Sequence, residues 1–276
     1  MKFNIGGKEG GVAEILGFLL VIVAVFIIFD AFMNTVVPTS ISSAEAQHYS
    51  DVISQIFQIK SGIVTSTSVS FFPYSLYESV DLGTQSIPIL VPPSPGQIVI
   101  IPYNDQNFIN VSFQTPQGQA VSFNGSTYIG VTLFNRVYPQ EAIYFDNGLI
   151  ATGYPNINLK NLSILSNGIA DYYNGTFSIY LISDSGIQYS YSGTGSVGIS
   201  IDINSIAYDN YADSGTLNLS LHDPLSYLWA KFLENLTHGN TQIEKNGQYY
   251  EAIINNVSNV RIVYINLNIR ILEALS

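Results

Sequence analysis

The residue types that do chemistry are sparse in this chain and poorly spaced for it. The three histidines, His48, His222 and His238, fall in no H-E-x-x-H or paired arrangement that could hold a metal or serve as a general base, and no G-x-S-x-G nucleophile elbow occurs. With no cysteine there is no thiolate ligand, thiol nucleophile or disulfide. Gly193-Thr194-Gly195-Ser196-Val197-Gly198 matches G-x-G-x-x-G, but a dinucleotide loop needs a helix after it. The alternation of Ile199-Ser200-Ile201-Asp202-Ile203 predicts a strand there, so the glycines are read as a turn or bulge. Asp209-Asn210-Tyr211-Ala212-Asp213-Ser214-Gly215 has the acidity of a calcium loop, yet Tyr211 stands at the third ligand position and no Glu closes it. No catalytic residue, metal site or cofactor is expected. An exported hydrolase would need Asp or Glu side chains brought together in a concave pocket, which sequence spacing does not display.

What remains is a modification pattern and one awkwardly placed carboxylate. N-x-S/T acceptors occur at Asn110, Asn124, Asn161, Asn174, Asn218, Asn235 and Asn256. They become glycosylation candidates only on an exported chain, and Asn235, on a helical stretch, is the least favourable. Glu14 heads an uncharged run, where a lone desolvated carboxylate costs several kcal/mol, so it requires an interface or a partner. A helix N-terminus would also favour its charge.

The element that positions Glu14 is the run from Ile15 to Phe29, which carries no charge at all. Counted from Val12, it makes a helix of roughly 27 Å at about 1.5 Å per residue, close to a hydrocarbon core of about 30 Å. Lys2 and Lys8 precede the run and the next basic residue is Lys60, so the N-terminus is placed in the cytoplasm and the rest outside. Beyond it, Ile41, Ala44, His48, Val52, Ile56 and Ile59 recur every three or four residues. Ser43, Glu45, Gln47, Asp51, Ser54, Gln55 and Gln58 take the opposite face. One helix over 12–61 is expected, kinked near Pro38 and stopped at Gly62.

From residue 62 the apolar period falls to two. Thr176 to Leu181, Val197 to Ile203, Leu217 to Leu221 and Tyr264 to Ile271 alternate as half-buried strands do. Asn-Gly pairs at 124–125, 147–148, 167–168, 174–175 and 246–247 supply turn chemistry. The fold class is therefore mainly β: a long hydrophobic helix, then an antiparallel sandwich, of which an immunoglobulin-like arrangement is one form. Pro88, Pro92, Pro93 and Pro95 make Ile87 to Gly96 a stiff loop or edge, with a candidate subdomain boundary near 88–100. One helix is expected near 224–238, capped by Asp223, with Trp229 in the core. The net charge of −11 gives nothing to grip a phosphate backbone, so no nucleic-acid partner is expected. Only 11% of residues are charged, a surface that tolerates acid because few carboxylates await protonation.

The segment Lys8-Glu9-Gly10-Gly11-Val12-Ala13-Glu14-Ile15-Leu16-Gly17-Phe18, with the helix after it, resembles the N-terminus of archaeal type IV pilins and pilin-like proteins. The resemblance covers about residues 1–60. It implies a leader over 1–11, cut by a prepilin-type peptidase after Gly11 to leave Val12 first, or after Gly10 to leave Gly11 first. Lys8 stands further from the cut than the basic residue of the family pattern. It also implies that Glu14 pairs with the freed α-amino group of a neighbouring subunit, and that helix 12–61 forms a filament core under an exposed head of 62–276. The expected protein is then a structural, adhesive filament subunit and not an enzyme. Its partners would be the membrane, the peptidase and copies of itself or related pilins. It would stand in the cell membrane before assembly and in an extracellular filament after it. A membrane-anchored surface, envelope or virion protein that never polymerises is the alternative.

Overall fold

The computed structural model describes residues 8–69, 71–84, 92–104, 106–155, 161–247 and 249–272. It opens with one long helix in three segments: α1 (Lys8–Ala31), a π turn (Phe32–Val36) and α2 (Val37–Ser66). Pro38 is absorbed within it. The Val37 N–H reaches back to the Phe32 carbonyl, five residues away, and this widened turn precedes the proline, which then sits in the first turn of α2. A missing N–H disturbs a helix least there. The helix also outruns its expected stop at Gly62, because Ile63 and Ser66 extend the buried face. Gly62 instead lets Leu76 approach; a Cβ at this position would lie 3.1 Å from Leu76 Cδ1.

The head is mainly β, as the period-two alternation predicts, in two sheets. The larger runs β4 (Ala120–Gly125), β3 (Ile109–Gln114), β12 (Ser196–Leu221), β14 (Tyr249–Leu272), β10 (Thr176–Asp184) and β9 (Ala170–Tyr173). On its long strands, β1 (Tyr74–Asp81) pairs with β12 and β13 (Thr241–Asn246) with β14. The smaller sheet runs β11 (Tyr189–Gly193), β2 (Gly96–Pro102), β5 (Thr127–Leu133), β6 (Glu141–Asp146), β7 (Leu149–Gly153) and β8 (Ser163–Ser166). Neighbouring strands are antiparallel except β10 and β14, which run parallel. Sheets of eight and six strands with a parallel pair depart from the immunoglobulin arrangement of two smaller antiparallel sheets.

The two longest strands join stretches that look separate in the sequence. Val197 to Ile203 and Leu217 to Leu221 both belong to β12, which bends at irregularities between Ile203 and Ser205 and between Ala212 and Leu217. Such bulges add twist without ending the strand. The acidic stretch 209–215 lies inside β12, not in a loop, and within Gly193–Gly198 only Thr194 and Gly195 connect β11 to β12. Asn147-Gly148 and Asn174-Gly175 form tight turns with both residues at positive φ, 44° and 84°, then 50° and 77°. Asn124-Gly125 does not turn; it ends β4, with Gly125 against the Ile182 carbonyl. The chain changes sheets between β1 and β2, across the proline-rich stretch, of which residues 85–91, including Pro88, lie outside the described residues.

Helix α3 (Ser226–Leu236) is shorter than expected, but Trp229 is fully buried as predicted. Gly168 lies against that ring; a Cβ there would meet Cη2 at 2.2 Å. Asp223 is not the cap: Leu225 stands at the N-cap with no side-chain cap bond, because the helix starts later than expected, and Asp223 Oδ1 instead accepts the Leu225 N–H at 2.6 Å.

Candidate functional site

Helices α1 and α2 form one rod with opposite surroundings. Most side chains from Ile15 to Phe29 keep half or more of their surface exposed, Ile28 as much as 70%. Apolar residues cover every side of α1, so it has no face of its own to turn toward a core. It is long and apolar enough to cross a membrane, and none of that apolar stretch is buried within the chain. Gly10, Gly11 and Val12 lie on its first turns and Glu14, exposed, follows them. Residues 1–7 of the expected leader lie outside the described residues.

The surroundings change at the π turn. Along α2, Ile41, Val52, Ile56, Ile59 and Ile63 are buried, each contributing about 1.5–3 kcal/mol by leaving water. Polar side chains pin the helix to both sheets. Gln55 holds Asp81 of β1 in two hydrogen bonds, its Nε2 donating to the carboxylate and its Oε1 accepting the Asp81 N–H, each at 3.0 Å. His48 Nε2 meets the Asp81 carbonyl at 2.9 Å. From the smaller sheet, Thr152 of β7 meets Tyr49 Oη at 2.6 Å, and Ser166 of β8 accepts from Lys60 Nζ at 2.7 Å. Helix α2 thus contacts both sheets.

Glu45 is the polar residue that sequence periodicity misplaced. Assigned to the solvent face, it is 1% exposed. Its Oε1 accepts from the Arg136 N–H and Ser94 Oγ, both at 2.7 Å, and its Oε2 from the N–H groups of Val137 (2.9 Å) and Tyr138 (2.7 Å). Burial by itself would push this carboxyl up. The Arg136 N–H and the Ser94 hydroxyl, with Tyr138 and Val137, outweigh it and hold Glu45 below its ordinary range. No local pattern could show this, because its partners lie 49 residues away at Ser94 and 91 to 93 away in the loop at Arg136, Val137 and Tyr138.

All seven asparagines of the N-x-S/T sites are described, and they do not form one cluster. Asn110, Asn124 and Asn218 share the outer face of the larger sheet: Asn110 pairs in register with Asn124 on β4 and Ser220 on β12. Asn174 and Asn256 occupy exposed positive-φ positions, and Asn161 is exposed before β8. Asn235 is exposed near the end of α3, but its acceptor-motif partner Thr237 is fully buried.

Two acidic side chains do come together. Asp146 and Asp223 are buried side by side, and Trp229 Nε1 donates to Asp146 Oδ2 at 3.0 Å. Burial, then the neighbouring Asp223 carboxyl, drives Asp146 far up, and burial raises Asp223 to about 6. A glycoside-cleaving pair stands about 5 Å or more apart across an open groove. These two touch, with Asp146 wholly enclosed. The three histidines stay apart, and among the described residues no group of three His, Asp or Glu side chains could hold a metal. No protein-family model, curated protein or solved structure matches this chain.

Proposed function

We propose that this protein is a pilin-like structural subunit of an archaeal extracellular filament. Its helix α1 anchors it in the membrane before assembly and packs in the filament core afterwards, while the β head faces outward. The observation that carries this reading is the change of environment along one continuous helix. Its first half is apolar on all sides and unpartnered, its second half is bolted to a folded head. A helix that only anchors needs a membrane; one that also assembles needs a rigid joint to its head, and α2 supplies it. The Gly10-Gly11-Val12 segment ahead of Glu14 supports processing by a prepilin-type peptidase, and the N-x-S/T sites on outward faces support an exported, glycosylated head. Mass spectrometry of the mature N-terminus, with isolation of surface filaments, tests the reading. An α-amino group on Val12 or Gly11 in a chain recovered from filaments is expected. An intact Met1 in a chain confined to the membrane would establish the non-polymerising anchor instead.

A further inference from the structure

A cleft of about 650 Å³ opens on the head, within the range of ligand sites. It lies where the β2–β3 loop, the strand-to-helix junction after β12 and the β13–β14 turn meet. Seven-residue β2, about 20 Å long, separates it from the segment at Ser94 that Glu45 holds. Two rings of its lining stack, His222 on Tyr249 with centroids 4.0 Å apart and 24° from parallel, and Phe108 backs His222 at 4.3 Å and 11°. Tyr249 is 38% exposed, so the stack offers a ring to the cleft. Burial lowers the His222 pKa, against the Glu251 carboxylate that raises it.

Around the rings stand amides. Gln106 and Gln188 are exposed on the lining, and Asn107, 4% exposed, spends its Nδ2 on the carbonyls of Ile101 and Pro102 while its Oδ1 finds no partner. Among the described residues that line it, only Lys245 at the rim and the enclosed Asp223 carry charge. A ring face takes up the C–H face of a pyranose, and amides, donor and acceptor at once, match its hydroxyls. A lipid-like ligand would leave these amides unpaired, and a strongly ionic one would find little to pair with.

We propose that this cleft binds neutral saccharides, with the Tyr249 ring as the stacking platform and Gln106 and Gln188 as hydrogen-bonding arms. The proposal goes beyond the filament reading and does not depend on it, because a single chain carries the whole site. A weak monovalent site suffices on a repeated surface, where multivalency adds about 10²- to 10⁴-fold.

The test uses the full chain in a sugar-free detergent, titrated calorimetrically with maltotriose, mannotriose and N,N′,N″-triacetylchitotriose. Sialyllactose and a tyrosine-rich peptide serve as acidic and peptide probes. At least one neutral trisaccharide is expected to bind in the micromolar to low millimolar range. Tyr249→Ala should weaken it about tenfold, and Tyr249→Phe should keep most of the affinity. Gln106→Ala, an exposed change that leaves the ring stack alone, should weaken it severalfold at unchanged melting temperature, which covers the case of a misfolded Tyr249→Ala. No neutral probe binding at about 10 mM, binding unaltered in both Tyr249→Ala and Gln106→Ala, or binding by the acidic or peptide probe alone would overturn the proposal.

Discussion

Glu45 is where burial and ionisation conflict, and hydrogen bonding decides the outcome. Three backbone N–H groups and one hydroxyl converge on a carboxylate that water barely reaches. Glu45→Ala would leave the N–H groups of Arg136, Val137 and Tyr138 without acceptors, at a cost of about 1–3 kcal/mol for each one that water cannot reach. A thermal melt should show a loss of several degrees, and Glu45→Gln should recover part of it, since one amide oxygen still accepts. Unchanged melting in Glu45→Ala would mean that the 134–140 loop satisfies itself elsewhere. Glu14 makes a different argument, because it is exposed on an unpartnered helix. On the filament reading, Gly11→Val blocks the peptidase by filling its small-residue subsite, and the uncut chain stays in the membrane. Glu14→Ala is processed normally but assembles slowly or not at all, with some recovery in Glu14→Asp. Mature mass and filament yield separate the two steps. Wild-type yield from Glu14→Ala would reduce Glu14 to an interfacial residue favoured by the helix dipole.

At the scale of elements, the joint between α1 and the head depends on α2. Ile56 and Ile59 are fully buried against strands of both sheets. Ile56→Ala or Ile59→Ala should each destabilise the head by about 2–5 kcal/mol, and hydrogen exchange should show α2 opening before the strands. Protection of α2 left intact in both variants would show that its polar pins suffice. The apolar stripe of α2 was legible in the sequence because helical periodicity is local. So were Trp229 as core and the strand alternation near 176–181 and 264–271. Glu45 was not, since a buried carboxylate is recognisable only by donors from a distant loop. Nor was the unity of β12, because the polar stretch around Asp209 to Gly215 imitates a loop while long-range pairing with β14 keeps it extended. The Asp146–Asp223 contact joins two turns seventy-seven positions apart, beyond any local signal.

For the whole molecule, sparse surface charge directs attention to the carboxyl groups inside it. Asp146 is raised by burial and by the neighbouring Asp223 carboxyl, and burial raises Asp223 to about 6 against the Asp146 contact and the Leu225 N–H that pull it down. Burial also pushes Asp184 up to about 6, against Gly186 and Ile269 N–H bonds that pull it down. A carboxyl that binds its proton more tightly folded than unfolded stabilises the fold fully below its unfolded value of 3.8, and the contribution is lost as pH rises through the folded value. Glu45 has the opposite sign: its contribution is present above 4.5 and lost as pH falls through its lowered folded value. Together they place maximal stability in mild acid, at about pH 4 to 5, rather than at neutrality. Melting temperatures measured from pH 3 to 8 should therefore peak in that range and fall by several degrees toward pH 7. Asp146→Asn isolates the cause. An amide at this position can still accept from Trp229 Nε1 and has no proton to lose. The variant should melt close to wild type at pH 4, above it at pH 7, and with a shallower slope between. If the wild-type melting temperature instead climbs from pH 5 to 7, the buried pair carries charge in the native state, and the acid preference assigned to this head is wrong.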